Sequence, residues 1–324
     1  MKYRLPGLCD LQVNGFAGVD YNNANLGSED LSRSLEAMRR TGVMLCLPTV
    51  ITSSADHFAK CAAGLGQVDD PMIAGLHMEG PYISPVDGPR GAHPLAHVAD
   101  ASVEDFKRRQ DSAQGRIKLV TLAPEVPGAM KLIEYLVAQK IVVAIGHSDA
   151  DDSSIYDAVT AGATLSTHLG NGCHGTMDRH RNILWPQLAE DLLYAGLIVD
   201  GHHLPRPVVQ AMIKAKGIER SVLVTDAVAA AGASPGIYQL GEFEVELNEA
   251  GRVNQVGASN LAGSALTLEQ AVARTCDWCE LPIETAWGMA STLPAKIINT
   301  VSRGEVEVEW DAGTSRLEIL STTP

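Results

Sequence analysis

The chain has 324 residues, 45% of them hydrophobic, enough to bury a large core as one α/β barrel or two ordinary domains. A formal charge of −14 and a pI near 5.1 argue against a nucleic-acid or anionic-membrane partner. No apolar run approaches the roughly 20 residues of a membrane span, Met1 to Gly7 lacks a signal-peptide core, and six scattered cysteines read as free thiols of a reducing cytoplasm.

Pro6 and Gly7 lead into a first predicted strand, Leu8 to Val13, which closes at Asn14-Gly15. Leu31, Leu35 and Met38 stripe a helix over Ser28 to Arg40, with Gly42 where a C-cap belongs. A strand over Val43 to Val50 and a helix over Ser54 to Leu65 follow. Pro71 to Leu76 reads as a third strand ending at His77-Met78-Glu79-Gly80-Pro81. The Pro- and Gly-rich stretch Tyr82 to Ala99 is a long polar loop, and such loops in compact domains are usually functional or disordered. Next come a helix over Ser102 to Gln110, a strand over Ile117 to Leu122, and a helix begun by Pro127, a residue suited to a first turn.

The run Ile141 to Ile145 stops at Gly146-His147-Ser148, and Ile155, Ala158, Val159 and Gly162 give the next segment one apolar helix face. A further strand, Ala163 to Thr167, stops at His168. Two parallel strands joined by a crossover helix thus each end in a histidine, which brings two imidazoles to one side of the sheet. Ile183 to Asp191 is helical, and Leu193 to Val199 is a strand ending at Asp200-Gly201-His202-His203. After a helix over Pro205 to Lys214, the strand Ser221 to Thr225 ends at Asp226. Ile237 to Val256 alternates like an inserted hairpin, and helices cover Ser264 to Trp278 and Ile283 to Met289. Gly304 to Trp310 and Ser315 to Leu320 form a hairpin-like tail suited to pairing with Met1 to Leu5.

Strands alternating with helices to this count predict a (β/α)8 TIM barrel, whose active sites lie at the C-terminal strand ends. Gln12, Asn14, Glu79, His147, His168, His203 and Asp226 all fall there. A lone histidine ending a strand is more often a hydrogen-bonded rim residue, but two on adjacent strands with a glutamate and an aspartate outweigh that. Glu79, His147 and His168 form a three-ligand set that leaves a position for water. Asp226 is the matching proton acceptor and donor.

These residues stand in motifs that resemble the N-acetylglucosamine-6-phosphate deacetylases of the amidohydrolase superfamily. The motifs are Pro6 to Gly15, His77 to Pro81, Gly146-His147-Ser148, Thr167 to Asn171, Val199 to His203, Val224 to Ala227, Leu261 to Thr267 and Met289 to Ala295. The resemblance implies a metal-dependent hydrolase barrel over residues 6–302, with 1–5 and 303–324 as a reduced small β subdomain. It implies removal of acetyl from an N-acetylated amino-sugar phosphate. It supports Glu79, His147 and His168 as ligands of one divalent metal per subunit, zinc first, with iron or another divalent ion also suited. Gln12 and Asn14 replace the paired histidines that support a second metal elsewhere in the superfamily, and are placed near substrate. His93 matches a histidine that polarises the acetyl carbonyl. His203 and Arg179 match phosphate-binding positions, Arg179 reaching across a homodimer, and Asn171 and Gly172 would contact the sugar. The chain departs from the family wording at Gly170 to His174 and at Thr176 to Trp185, near the substrate and not at the metal set. A different or unphosphorylated N-acyl substrate is therefore the alternative, and a sugar-phosphate sensor without catalysis is a more distant one.

Overall fold

The computed structural model describes residues 1–324. Eight parallel strands, Leu8–Val13, Val43–Ile51, Leu76–Glu79, Ile117–Leu122, Val142–Ile145, Leu165–Ser166, Tyr194–Leu197 and Ser221–Leu223, pair in chain order. The seam between the eighth and first closes through Asp226 N–H to the Gln12 carbonyl, 2.9 Å, and Asn14 N–H to the Ala227 carbonyl, 2.6 Å. This is the (β/α)8 barrel that the alternation predicts, and its strand ends share one face.

The strands form because they are apolar towards the helices and tolerate polar groups only where those pair inside the barrel. Val43–Ile51 is buried along its whole length. On the first strand Cys9, Leu11 and Val13 alternate with Asp10 and Gln12, and the period of two sends the polar set inward. The helices bury one stripe each, as Ser28–Arg39 does with Leu31, Leu35 and Met38. Ser54, Ser102 and Asp151 cap their helices by accepting from His57, Asp105 and Ser154 N–H groups.

The third strand lies later than its apolar pattern suggests. Pro71 and Met72 belong to a turn in which Asp70 accepts the Met72 N–H at 2.9 Å, and Ile73 makes a single bridge to Cys46. Pairing therefore begins at Leu76, and Glu79 is the strand's last residue. Pro127 precedes its helix, because Gly128, at φ +85°, is not helical and the helix runs Ala129–Ala138. The insertion is a three-stranded antiparallel sheet, Gly236–Leu240, Phe243–Leu247 and Val253–Gln255, where alternation suggested a hairpin; Leu240, Val245, Leu247 and Val253 pack under it. At the far end Lys2–Pro6 pairs with Glu305–Asp311, which pairs with Arg316–Thr323.

Candidate metal centre

Three donor atoms converge inside the barrel mouth. Glu79 Oε1 lies 3.3 Å from His147 Nε2 and 3.1 Å from His168 Nε2, and the two imidazole nitrogens are 3.0 Å apart. All three residues are buried. The second nitrogen of His147, Nδ1, donates to the Pro89 carbonyl at 3.0 Å, so a neutral ring leaves Nε2 as a bare lone pair aimed at a carboxylate oxygen. Two acceptors pressed together call for a cation between them, a proton or a metal ion. A tetrahedral ion with bonds of about 2.0–2.1 Å has ligand atoms about 3.3 Å apart, close to the separations present here. The residues fit a divalent metal.

Burial alone would push the Glu79 carboxyl up, but hydrogen bonds and charge from His147 and His168 outweigh it and hold it well below the usual range. Burial likewise lowers His168, yet Glu79 raises it on balance. His77, one layer deeper, is pushed down to about 4 by burial. Its ring spans Thr121 Oγ1 (2.8 Å) and the Leu11 carbonyl (3.1 Å), which fixes the strand that carries Glu79.

Asp226 sits beside this set. Its Oδ1 accepts from Asn14 Nδ2 at 2.7 Å and Gln12 Nε2 at 3.1 Å, and the same Gln12 amide donates to Glu79 Oε1 at 2.9 Å. Desolvation first, then the negative charge of Glu79, raise the Asp226 carboxyl to about 6. Its place beside the donor set suits a carboxyl that takes and gives a proton. His93 is buried with its ring 4.2 Å from that of His147, and burial holds it well below its ordinary value, hence neutral. Its Nδ1 meets Thr52 Oγ1 at 2.8 Å, whereas the alternative acceptor for that hydroxyl, the Glu79 carbonyl, is 3.4 Å away. With Thr52 donating in the shorter contact, the ring proton would lie on Nε2.

The cavity above the donors has a volume of about 400 Å³. Its lining includes Asn14, Glu79, His93, His147, His168, Asn171, Gly172, His203 and Asp226, so most of the expected site residues come together. His203 is held through Nδ1 by Asp200 at 2.6 Å. Gln12 does not line the cavity; it lies beneath, tying the two carboxylates. Arg179 is exposed and outside the lining of its own chain's cavity. Thr52 and the Pro89 carbonyl join the site without any motif that announces them. Leu240 and Phe243 of the inserted sheet and Asn260 to Gly263 complete the wall.

No protein-family model matches the chain. Among characterised proteins, the N-acetylglucosamine-6-phosphate deacetylase of Vibrio furnissii is 33% identical over 313 residues, covering 94% of this chain and 76% of that one. An N-acetylgalactosamine-6-phosphate deacetylase of a Shewanella strain is 32% identical over 315 residues, 94% of this chain and 78% of that one. The solved structure of a mutant N-acetyl-D-glucosamine-6-phosphate deacetylase from Mycobacterium smegmatis, in complex with N-acetyl-D-glucosamine-6-phosphate, superposes with a TM-score of 0.91 at 27% identity. That match covers 99% of this chain and 85% of that one. Similar over nearly its whole length to such enzymes, and folded as they are, the chain belongs to the N-acetylglucosamine-6-phosphate deacetylase family of the amidohydrolase superfamily.

Proposed function

We propose that the chain hydrolyses N-acetylglucosamine 6-phosphate to glucosamine 6-phosphate and acetate. The observation that carries this is the meeting of Glu79, His147, His168 and Asp226 in one cavity of a chain so similar to these deacetylases. Glu79, His147 and His168 would hold one divalent ion, with zinc favoured by the nitrogen-rich set and iron also suited. When bound, it supplies Lewis acidity, polarising the acetyl carbonyl and making water a better nucleophile at neutral pH. Asp226 accepts the proton of the attacking water and delivers it to the amide nitrogen as the C–N bond breaks, releasing acetate and a free amine. His93 donates its Nε2 proton to the oxygen on which negative charge develops.

Asn171 and Gly172 border the sugar. His203 takes the phosphate, joined by Arg179 from the neighbouring subunit of a homodimer; the lining holds no lysine or arginine of its own chain. Residues 1–5 and 303–324 read as a small β subdomain attached to the 6–302 barrel. No helix is long and apolar enough to cross a membrane, and the six cysteines are free, which suits the cytoplasm.

The relative that acts on N-acetylgalactosamine 6-phosphate favours a second reading, the epimeric sugar phosphate. Acetate release from both phosphorylated sugars, and from N-acetylglucosamine without its phosphate, tests the assignment. The glucosamine ester should have the highest kcat/KM. Equal rates with and without phosphate would remove the role given to Arg179 and His203.

A further inference from the structure

We propose that the loop from Tyr82 to Ala99 is an outer support of the metal centre, so that seating of the loop and occupancy of the metal stabilise each other. The inference rests on the metal-centre reading above and adds to it residues outside the ligand set. The loop grips one ligand from two sides. Ser84 N–H donates to the His147 carbonyl at 2.9 Å, and His147 Nδ1–H donates to the Pro89 carbonyl at 3.0 Å. The first bond fixes the backbone of the ligand; the second fixes its tautomer, keeping Nε2 free to bind metal.

Gly91 makes the approach possible. Its φ is +58°, and a Cβ there would stand 3.3 Å from His147 Cε1. Arg90 holds the loop in that shape: its guanidinium donates to the His93 carbonyl at 2.9 Å and the Pro85 carbonyl at 3.4 Å and pairs with Asp87. None of these Arg90 contacts touches a metal ligand. Arg90 is thus a positioning residue, acting on His147 only through the loop.

Binding linkage makes the effect reciprocal: whatever factor the seated loop adds to metal affinity, metal adds to loop seating. The test has two independent arms on the full-length protein. Zinc affinity is measured by chelator competition for the wild type and Arg90→Ala, and hydrogen exchange at the Ser84 amide is followed with zinc bound and stripped. Loss of an outer partner of a metal ligand weakens binding about 10- to 100-fold, and Arg90→Ala should fall at the lower end of that range. Stripping zinc should speed exchange at Ser84 by a similar factor. Unchanged zinc affinity in Arg90→Ala overturns the proposal, and so does Ser84 exchange that ignores zinc. The exchange arm uses wild-type protein, so it stands even if the variant misfolds. A wild type that takes up no zinc would sink the metal reading itself, a result distinct from either.

Discussion

His147, His168 and Asp226 all sit at positive φ, at +51°, +28° and +51°. Side chains other than glycine avoid this region, and each such residue costs on the order of 1–3 kcal/mol unless its surroundings impose it. The strain is concentrated where side chains must leave the strand direction to face one point. For Asp226 a second cost is added by the neighbouring charge of Glu79. Asp226→Asn removes the charge cost, and asparagine keeps a residue that tolerates left-handed backbone and can still accept from Gln12 and Asn14. The variant should be more stable by about 1 kcal/mol while kcat falls about 10²- to 10⁴-fold with metal bound. Thermal unfolding and turnover of the metal-loaded protein check the pair; near-normal turnover would remove Asp226 from the proton path. Thr52 offers a finer test. Thr52→Val keeps the shape but removes the hydroxyl that meets His93 Nδ1. An expected drop of about 10- to 100-fold in kcat with little change in KM follows from losing the tautomer. A kcat within twofold of wild type would mean that His93 is oriented by something else.

Among the elements, the barrel was legible because its apolar runs and helix stripes repeat in chain order, and parallel strands then force Glu79, His147, His168 and Asp226 to one face. What was hidden depends on contacts between elements far apart in sequence. The turn at Asp70 that delays the third strand is clamped by Arg39, and nothing near Pro71 announces it. The Pro89 carbonyl on His147 and the Thr52 hydroxyl on His93 are likewise backbone and small-side-chain contacts without a motif. Asp10 shows the same for the seam. Its carboxyl accepts from Thr225 Oγ1 at 2.5 Å and from Gln12 N–H at 3.2 Å, joining the eighth strand to the first. Burial raises it to about 7 in spite of these donors. The folded state therefore binds a proton that the unfolded chain has released above its ordinary pKa of 3.8. Stability from this group is full below that value, declines as pH rises towards about 7, and is flat beyond. Denaturant midpoints of the wild type and Asp10→Asn at about pH 5.5 and pH 8 measure it: the wild type should lose ground against the variant at the higher pH. A difference independent of pH would show that Asp10 is ionised throughout.

For the molecule as a whole, the net charge of −14 makes capture of a phosphate ester a local problem. The cavity supplies His203 but no lysine or arginine, and Arg179 stands exposed on the loop after the sixth strand, away from its own chain's cavity. In the proposed homodimer a second copy would bring this exposed arginine across a two-fold interface, each subunit completing the other's site. That arrangement has a distinctive genetic signature. A chain carrying Arg179→Ala retains its metal set and Asp226 but lends its partner no arginine; a chain carrying Asp226→Asn is inert but still lends Arg179. Mixed by co-expression, the hybrid dimer contains one site with both an intact Asp226 and a donated Arg179. Random pairing makes about half the dimers hybrids, with one whole site each, so about a quarter of the wild-type activity on the phosphorylated sugar should return. Each variant alone should fall well below that level at subsaturating substrate. Activity of the mixture that merely equals the sum of its two parents would place Arg179 outside the neighbouring site and leave phosphate recognition to His203 and the backbone around Gly172.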